Sequence, residues 1–388
     1  MASKICILSY HYIHNNGAFL FAYGLAKLLK EEFPGSDVKI IDYKSIRLDT
    51  YEYLKRFKLL PSIPLFYYKR ARLWDSILER HLDLDPDFPH HTNQTQLLNY
   101  IYDHYHAIVV GMDVWCIVHS IERPSFPNIY WLPSESTIPK IALGVSAYNS
   151  DLALIQRYSR QITGCLNGFD VIGARDRFTY GMVTKHRKRE DGLVERIPDP
   201  TFLFEFVDTS VVEKLTSLGV DFNRPLVGLM LFGDDELSKR ICANYRAKGY
   251  QILALSMYNR FADLNLGHLL TPFEWAKTLR YLSFCFTDRF HGTLFCLKSG
   301  IPFISLEKDK HLPIAQSKVY DLLVDFNLTQ CYTNSGKSGF NPSKMLQLAN
   351  ELEKDWESDI KPRVELTILL MKERYREFIH KMKVQLGW

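Results

Sequence analysis

Arg289 and His291, two residues apart, form the pair in this chain best suited to chemistry on an anion. A guanidinium presents a fixed fork of donors to a phosphate or carboxylate. An imidazole beside it can take up or release a proton near neutral pH. The flanking sequence places both groups well. An apolar run at 282–286 reads as a buried strand, 291–298 has the length of a helix, and Gly300-Ile301-Pro302 turns into a second apolar run at 303–306. Arg289 and His291 therefore fall where the carboxyl end of a strand meets the amino end of a helix. Ligands of open α/β sheets bind at that edge, and the free N–H groups of a first helical turn favour an anion.

The elements that hold this pair follow from the hydropathy pattern. Residues 4–8 read as a buried strand, 10–17 as a polar loop, 18–32 as an amphipathic helix and 38–41 as a second strand. This opening is that of a parallel, doubly wound sheet. Further strands are expected at 107–110, 140–145 and 169–172, and Asp199-Pro200-Thr201 closes the first half near residue 205. A second alternation starts at Pro225, with strands at 226–231 and 250–256 and helices at 235–248 and 273–281. The expected fold is α/β with two Rossmann-like domains, 1–205 and 222–355, facing one cleft. A helical segment, 356–388, broken at Pro362, is expected to cross back over it.

At 388 residues the chain exceeds what a single core usually serves, which also argues for two domains. A net charge of +4 is too small to argue for a nucleic-acid partner, and none is expected. Seven scattered cysteines with no CxxC pair fit free thiols in a reducing cytosol rather than a disulfide frame or zinc site. The apolar run 5–8 is too short for a signal peptide, and no run approaches the roughly 20 apolar residues of a membrane span. The expected location is cytoplasmic. The stretch 55–72 is basic and aromatic with two prolines. It reads either as a loop in peripheral contact with the membrane's inner face or a lipid diphosphate, or as an ordinary surface loop.

Six short motifs, in one order, resemble those of the polysaccharide pyruvyl transferases. They are Asn15-Asn16-Gly17 after the first strand, Gly111-Met112-Asp113-Val114-Trp115, and Lys140-Ile141-Ala142 running to Ser146. Gly173-Ala174-Arg175-Asp176, Asp199-Pro200-Thr201 and Arg289-Phe290-His291-Gly292 complete the set. Met112 stands where the family pattern has Ser. The matches run from about residue 4 to 328, while 47–99 has no counterpart and is assigned to the acceptor.

The resemblance implies a GT-B-like architecture and transfer of the pyruvyl group of phosphoenolpyruvate onto two hydroxyls of a sugar as a ketal. The acceptor would be a glycan or lipid-linked glycan held by the first domain, the donor would lie on the second, and no metal or other cofactor is implied. Arg175 and Arg289, one from each domain, would grip the donor across the cleft. His291 would be the general acid and Asp113 the base. Gly292, Asn16 and Gly17 would line the substrate, His11 would face the acceptor, and Asp199 would orient Arg175. The competing enzyme reading is a GT-B-type glycosyltransferase using a nucleotide sugar, with Glu307 on the ribose. A third reading, from another class, is a glycan-binding subunit without turnover. His11 and His14 are not on a helix, so their spacing does not suit a metal, and adjacent His90 and His91 would point apart.

Overall fold

The computed structural model describes residues 3–44, 64–88, 93–120, 125–205, 211–232 and 235–388. These hold two six-stranded sheets, parallel throughout. The first contains β1 (Lys4–Leu8), β2 (Asp37–Ile40), β3 (Ala107–Met112), β4 (Lys140–Val145), β5 (Val171–Ala174) and β6 (Leu193–Arg196), in the order β2-β1-β3-β4-β5-β6. The second contains β7 (Leu226–Met230), β8 (Gln251–Ala254), β9 (Leu264–Asn265), β10 (Phe284–Thr287), β11 (Phe303–Glu307) and β12 (Tyr332–Asn334), in the order β12-β11-β10-β7-β8-β9. The central strands β3, β4, β7 and β10 are buried at every residue. That is what unbroken apolar runs require when helices cover both faces of a sheet.

The strand orders fix where a ligand can sit. Winding reverses between β1 and β3 in the first sheet and between β7 and β10 in the second. Loops leaving the carboxyl ends at such a reversal diverge and open a crevice. Asn15–Gly17 follow β1, Asp113 follows β3, and Asp288–His291 follow β10, so three of the six motifs stand at the two reversals.

Six helices matter to the site: α1 (Asn16–Glu32), α2 (Pro64–His81), α3 (Arg177–His186), α4 (Phe290–Ser299), α5 (Lys318–Asp325) and α6 (Lys361–Leu386). α1 is buried on most of its surface because it packs on both halves, with Phe19 edge-on to Phe273 at 5.6 Å. Lys298, in the last turn of α4, donates to the carbonyls of Thr201 (2.6 Å) and Phe204 and so ties the halves together. Burial pushes its ammonium down to about 8.

The break expected at Pro362 takes another form. A π-turn at Trp356–Ile360 joins the helix Pro342–Asp355 to α6, and Pro362 lies in the first turn of α6, where a missing N–H costs nothing. Trp356 Nε1 donates to the Gly300 carbonyl at 2.7 Å and pins the turn to the second half. α6 then crosses back to the first half. Lys381 pairs with Glu195 (2.9 Å), Lys383 pairs with Glu32 (2.6 Å), and Trp388 packs on Phe33 at 4.8 Å.

The basic stretch 55–72 is not a loop throughout. Residues 55–63 lie outside the described set, as do His90 and His91. From Pro64 onward the chain is helical, with proline at the helix start, where it is tolerated. α2 buries Phe66, Arg70, Trp74 and Ile77 and exposes Leu65, Tyr68, Lys69 and Arg72.

Candidate active site

The β10–α4 junction is built as its sequence suggested. Thr287 ends the strand, and its hydroxyl accepts from the Arg289 N–H at 3.0 Å, which fixes the turn. Arg289 is the N-cap residue of α4, and no side chain caps the helix, so the amides of its first turn face the crevice without a protein acceptor from a cap. Gly292 is required there, since a Cβ would lie 2.1 Å from Thr287 Oγ1. Arg289 Nε lies 3.1 Å from Asp288 Oδ1. Burial pushes the Asp288 carboxyl up, against the opposing pull of the Arg289 charge.

Across the crevice α1 presents its own amino end. The Asn15 side chain accepts from the N–H groups of Gly17 (3.0 Å) and Ala18 (3.4 Å). A Cβ on Gly17 would lie 2.2 Å from His291 Cγ, so only glycine lets the helix end rest on the imidazole. The two helix starts enclose a cavity of about 390 Å³, open to solvent, lined by Asn16, Gly17, Arg70, Arg289, His291 and Gly292. None of the described residues lining it is acidic.

Arg70 is the residue that sequence reasoning missed. Its guanidinium is buried on the inner face of α2, where Nη2 donates to the His14 carbonyl at 2.8 Å and Nη1 donates to the Ser256 carbonyl. One anchor belongs to each half of the molecule.

Arg175 does not share this cavity. It is buried, with Nη1 2.8 Å from Asp199 Oδ2 and Nη2 on Asp113 Oδ1, and its guanidinium stacks 4.5 Å from the Phe290 ring centre. Burial opposes its charge, yet the two carboxylates, with Asp176 behind them, raise it above its ordinary value. It lines a separate cavity of about 310 Å³ together with four carboxylates, those of Asp176, Asp199, Asp321 and Asp325. Of the two arginines expected on facing walls, Arg289 lines the first cavity and Arg175 the second, and the other arginine in one cavity with Arg289 is Arg70.

Asp113 follows β3 as expected, but both of its oxygens are engaged, one by Arg175 and the other by Lys318 from α5. A carboxylate held by two cations is a weak base. Asp199 links this buried chain to the first cavity. Its Oδ1 accepts from Thr201 N (2.9 Å) and Thr201 Oγ1 (2.6 Å), and its Oδ2 lies 3.5 Å from His291 Nε2. Burial raises the Asp199 carboxyl, but His291, Arg175 and Thr201 together hold it well below the usual carboxylate range. The run Lys318–Asp113–Arg175–Asp199–His291 is thus one ionic chain from α5 to the imidazole.

His11 faces away from the cavity. It is fully buried, with Nε2 2.9 Å from Asp42 Oδ1 and Nδ1 3.3 Å from the Ser9 carbonyl. Burial pushes the Asp42 carboxyl up, but the His11 hydrogen bond and charge, helped by Lys44, bring it down to about 2. A depressed carboxylate stabilises the fold above its unfolded pKa of roughly 3.9, and the gain is lost as pH falls through the folded value. Asp42→Asn is therefore expected to cost about 2 kcal/mol above pH 5, by urea denaturation, with the gap from wild type closing between pH 4 and pH 2. A gap independent of pH would show that the pair is not ionic.

Two doubly wound sheets that open their reversal points onto one arginine-lined crevice define a two-domain α/β fold of the GT-B type. Solved structures share it. UDP-GlcNAc 2-epimerase from Neisseria meningitidis, bound to UDP-GlcNAc, matches with a TM-score of 0.56 at 10% identity, over 98% of this chain and 100% of that one. UDP-GlcNAc 2-epimerase from Methanocaldococcus jannaschii matches with a TM-score of 0.52 at 11% identity, over 95% and 99%. At such identities the likeness is one of fold. The chain belongs to the polysaccharide pyruvyl transferase family, whose model matches residues 15–309, a span that includes every motif residue from Asn15 to Gly292. No curated protein matches the chain. Among the described residues no helix is long and apolar enough to cross a membrane, and no group of three His, Cys, Asp or Glu residues is placed to hold a metal.

Proposed function

We propose that the protein transfers the pyruvyl group of phosphoenolpyruvate onto two hydroxyls of a sugar, in a surface polysaccharide or its lipid-linked precursor, forming a pyruvate ketal. The observation that carries this reading is the charge of the first cavity. Two arginines, two histidines and an uncapped helix start face it, and none of its described lining residues is a carboxylate. A donor with a carboxylate and a phosphate fits such a wall. The Arg175 cavity, with four carboxylates, does not suit that donor.

In this reading Arg289 and the first-turn amides of α4 hold the donor's anionic groups. His291 gives its proton to the methylene carbon as the first sugar hydroxyl attacks C2, and that hydroxyl's proton replaces it on the ring. The second hydroxyl then displaces phosphate, which leaves with the second proton, so a pyruvate ketal, its methylene now a methyl group, and inorganic phosphate result. Asp199, 3.5 Å from His291 Nε2, stabilises the imidazolium that makes the transfer. Arg175 keeps Asp199 ionised and in place rather than touching the donor. Asp113, committed to Arg175 and Lys318, is not given the part of base.

Arg289→Ala tests the donor site. Loss of a charge-assisted bond of about 1.5–3 kcal/mol should raise KM for phosphoenolpyruvate about 10- to 100-fold. An unchanged KM would remove Arg289 from the donor site.

A further inference from the structure

Accepting phosphoenolpyruvate as the donor, we infer that Arg70 is the second cation that binds it. The argument is one of charge balance within the cavity. The donor brings close to three negative charges near neutral pH, a phosphate and a carboxylate. Arg289 supplies one positive charge, but its Nε lies 3.1 Å from Asp288 Oδ1, so that carboxylate takes part of it. The start of α4 adds the equivalent of roughly half a charge. Arg175 adds nothing, because it stands between Asp113 and Asp199 in the other cavity. The second arginine on the wall of the first cavity is Arg70.

Its mounting suits the task. The Ser256 and His14 carbonyls orient the guanidinium at the cavity wall. A planar fork of five N–H donors can hold such anchors and grip a carboxylate or phosphate at the same time. Another donor stands in the same cavity wall: Trp275 Nε1 is buried and makes no hydrogen bond among the described residues. Arg70 comes from α2, in the part of the chain that carries no family motif, and its anchors lie on both halves. One side chain at the cavity wall therefore touches both halves of the molecule.

Calorimetric titration of phosphoenolpyruvate into the full-length protein decides the matter, with Arg70→Met, Arg70→Gln and Arg70→Lys alongside wild type. Arg70→Met should bind about 10- to 100-fold more weakly, the range for loss of a hydrogen bond to a charged group. Arg70→Gln keeps an amide donor for the carbonyl anchors but no charge, and should be weakened as much. Arg70→Lys keeps the charge and should lose less than Arg70→Gln. Should Arg70→Met fail to fold, the Gln and Lys pair decides, since a merely structural role would not favour Lys over Gln. Wild-type affinity in Arg70→Gln overturns the assignment and leaves the donor reading intact. No binding of phosphoenolpyruvate to wild type overturns the donor reading, and this assignment with it.

Discussion

His291→Ala lowers kcat by about 10²- to 10⁴-fold, the usual contribution of a positioned acid, while KM for phosphoenolpyruvate moves little. The split follows from the geometry. The cavity's charge rests mainly on Arg289, Arg70 and the start of α4, all present in the variant, so the donor still binds. What disappears is the group that carries the proton to the methylene carbon. The fold should survive, because the buried Asp199 carboxylate keeps Arg175 and Thr201 as partners and the lost imidazole leaves only space beside Gly17. Single-turnover kinetics at saturating donor measure the step directly. Turnover near that of wild type would mean that another group delivers the proton.

Asp199→Ala acts instead on the framework, costing about 3–5 kcal/mol of stability, the scale for removing one partner of a buried ion pair. Arg175, buried and stacked on Phe290, would keep only Asp113, which it shares with Lys318, and the Thr201 amide and hydroxyl would lose their acceptor. The wild-type carboxyl is held below its ordinary value, so its contribution is complete at neutral pH and fades only in acid. Urea denaturation at pH 7 measures the cost. Adding Arg175→Ala should recover part of it, since the unpaired guanidinium goes too, and the two changes should couple strongly. Strictly additive effects would show that the ionic chain is not one unit.

The residues that were legible in the sequence are those whose position depends on neighbours along the chain. The apolar run ending at Thr287, the helix-length stretch after it and Gly300-Ile301-Pro302 placed Arg289 and His291 at the head of α4, where they stand. The link between Asp199 and Arg175 was also anticipated, and it exists at 2.8 Å. Pairings among distant segments were not legible. Asp113, Arg175, Asp199 and Lys318 come from four separate parts of the chain, and nothing local in the sequence says that they meet and quench one another. His11 was placed in a polar loop, yet Tyr10, His11 and Tyr12 are all buried, because the loop folds inward onto Asp42 and Tyr130. Arg70 was hidden by Pro61 and Pro64, which mimic a loop, and by basic neighbours that mimic a surface. One signal was available: Phe66, Arg70, Trp74 and Ile77 follow helical spacing, which sets an arginine on an otherwise apolar face.

The most direct test of phosphoenolpyruvate as the donor is a thermal-denaturation titration of wild type and Arg289→Ala with phosphoenolpyruvate, UDP and UDP-sugars in parallel. A ligand that binds only the folded protein stabilises it by about 2.7 kcal/mol at a hundredfold excess over Kd. Stabilisation of wild type by phosphoenolpyruvate, lost in Arg289→Ala, is the predicted result. Stabilisation by UDP or UDP-sugars alone would contradict the donor assignment and make the protein a user of nucleotide sugars.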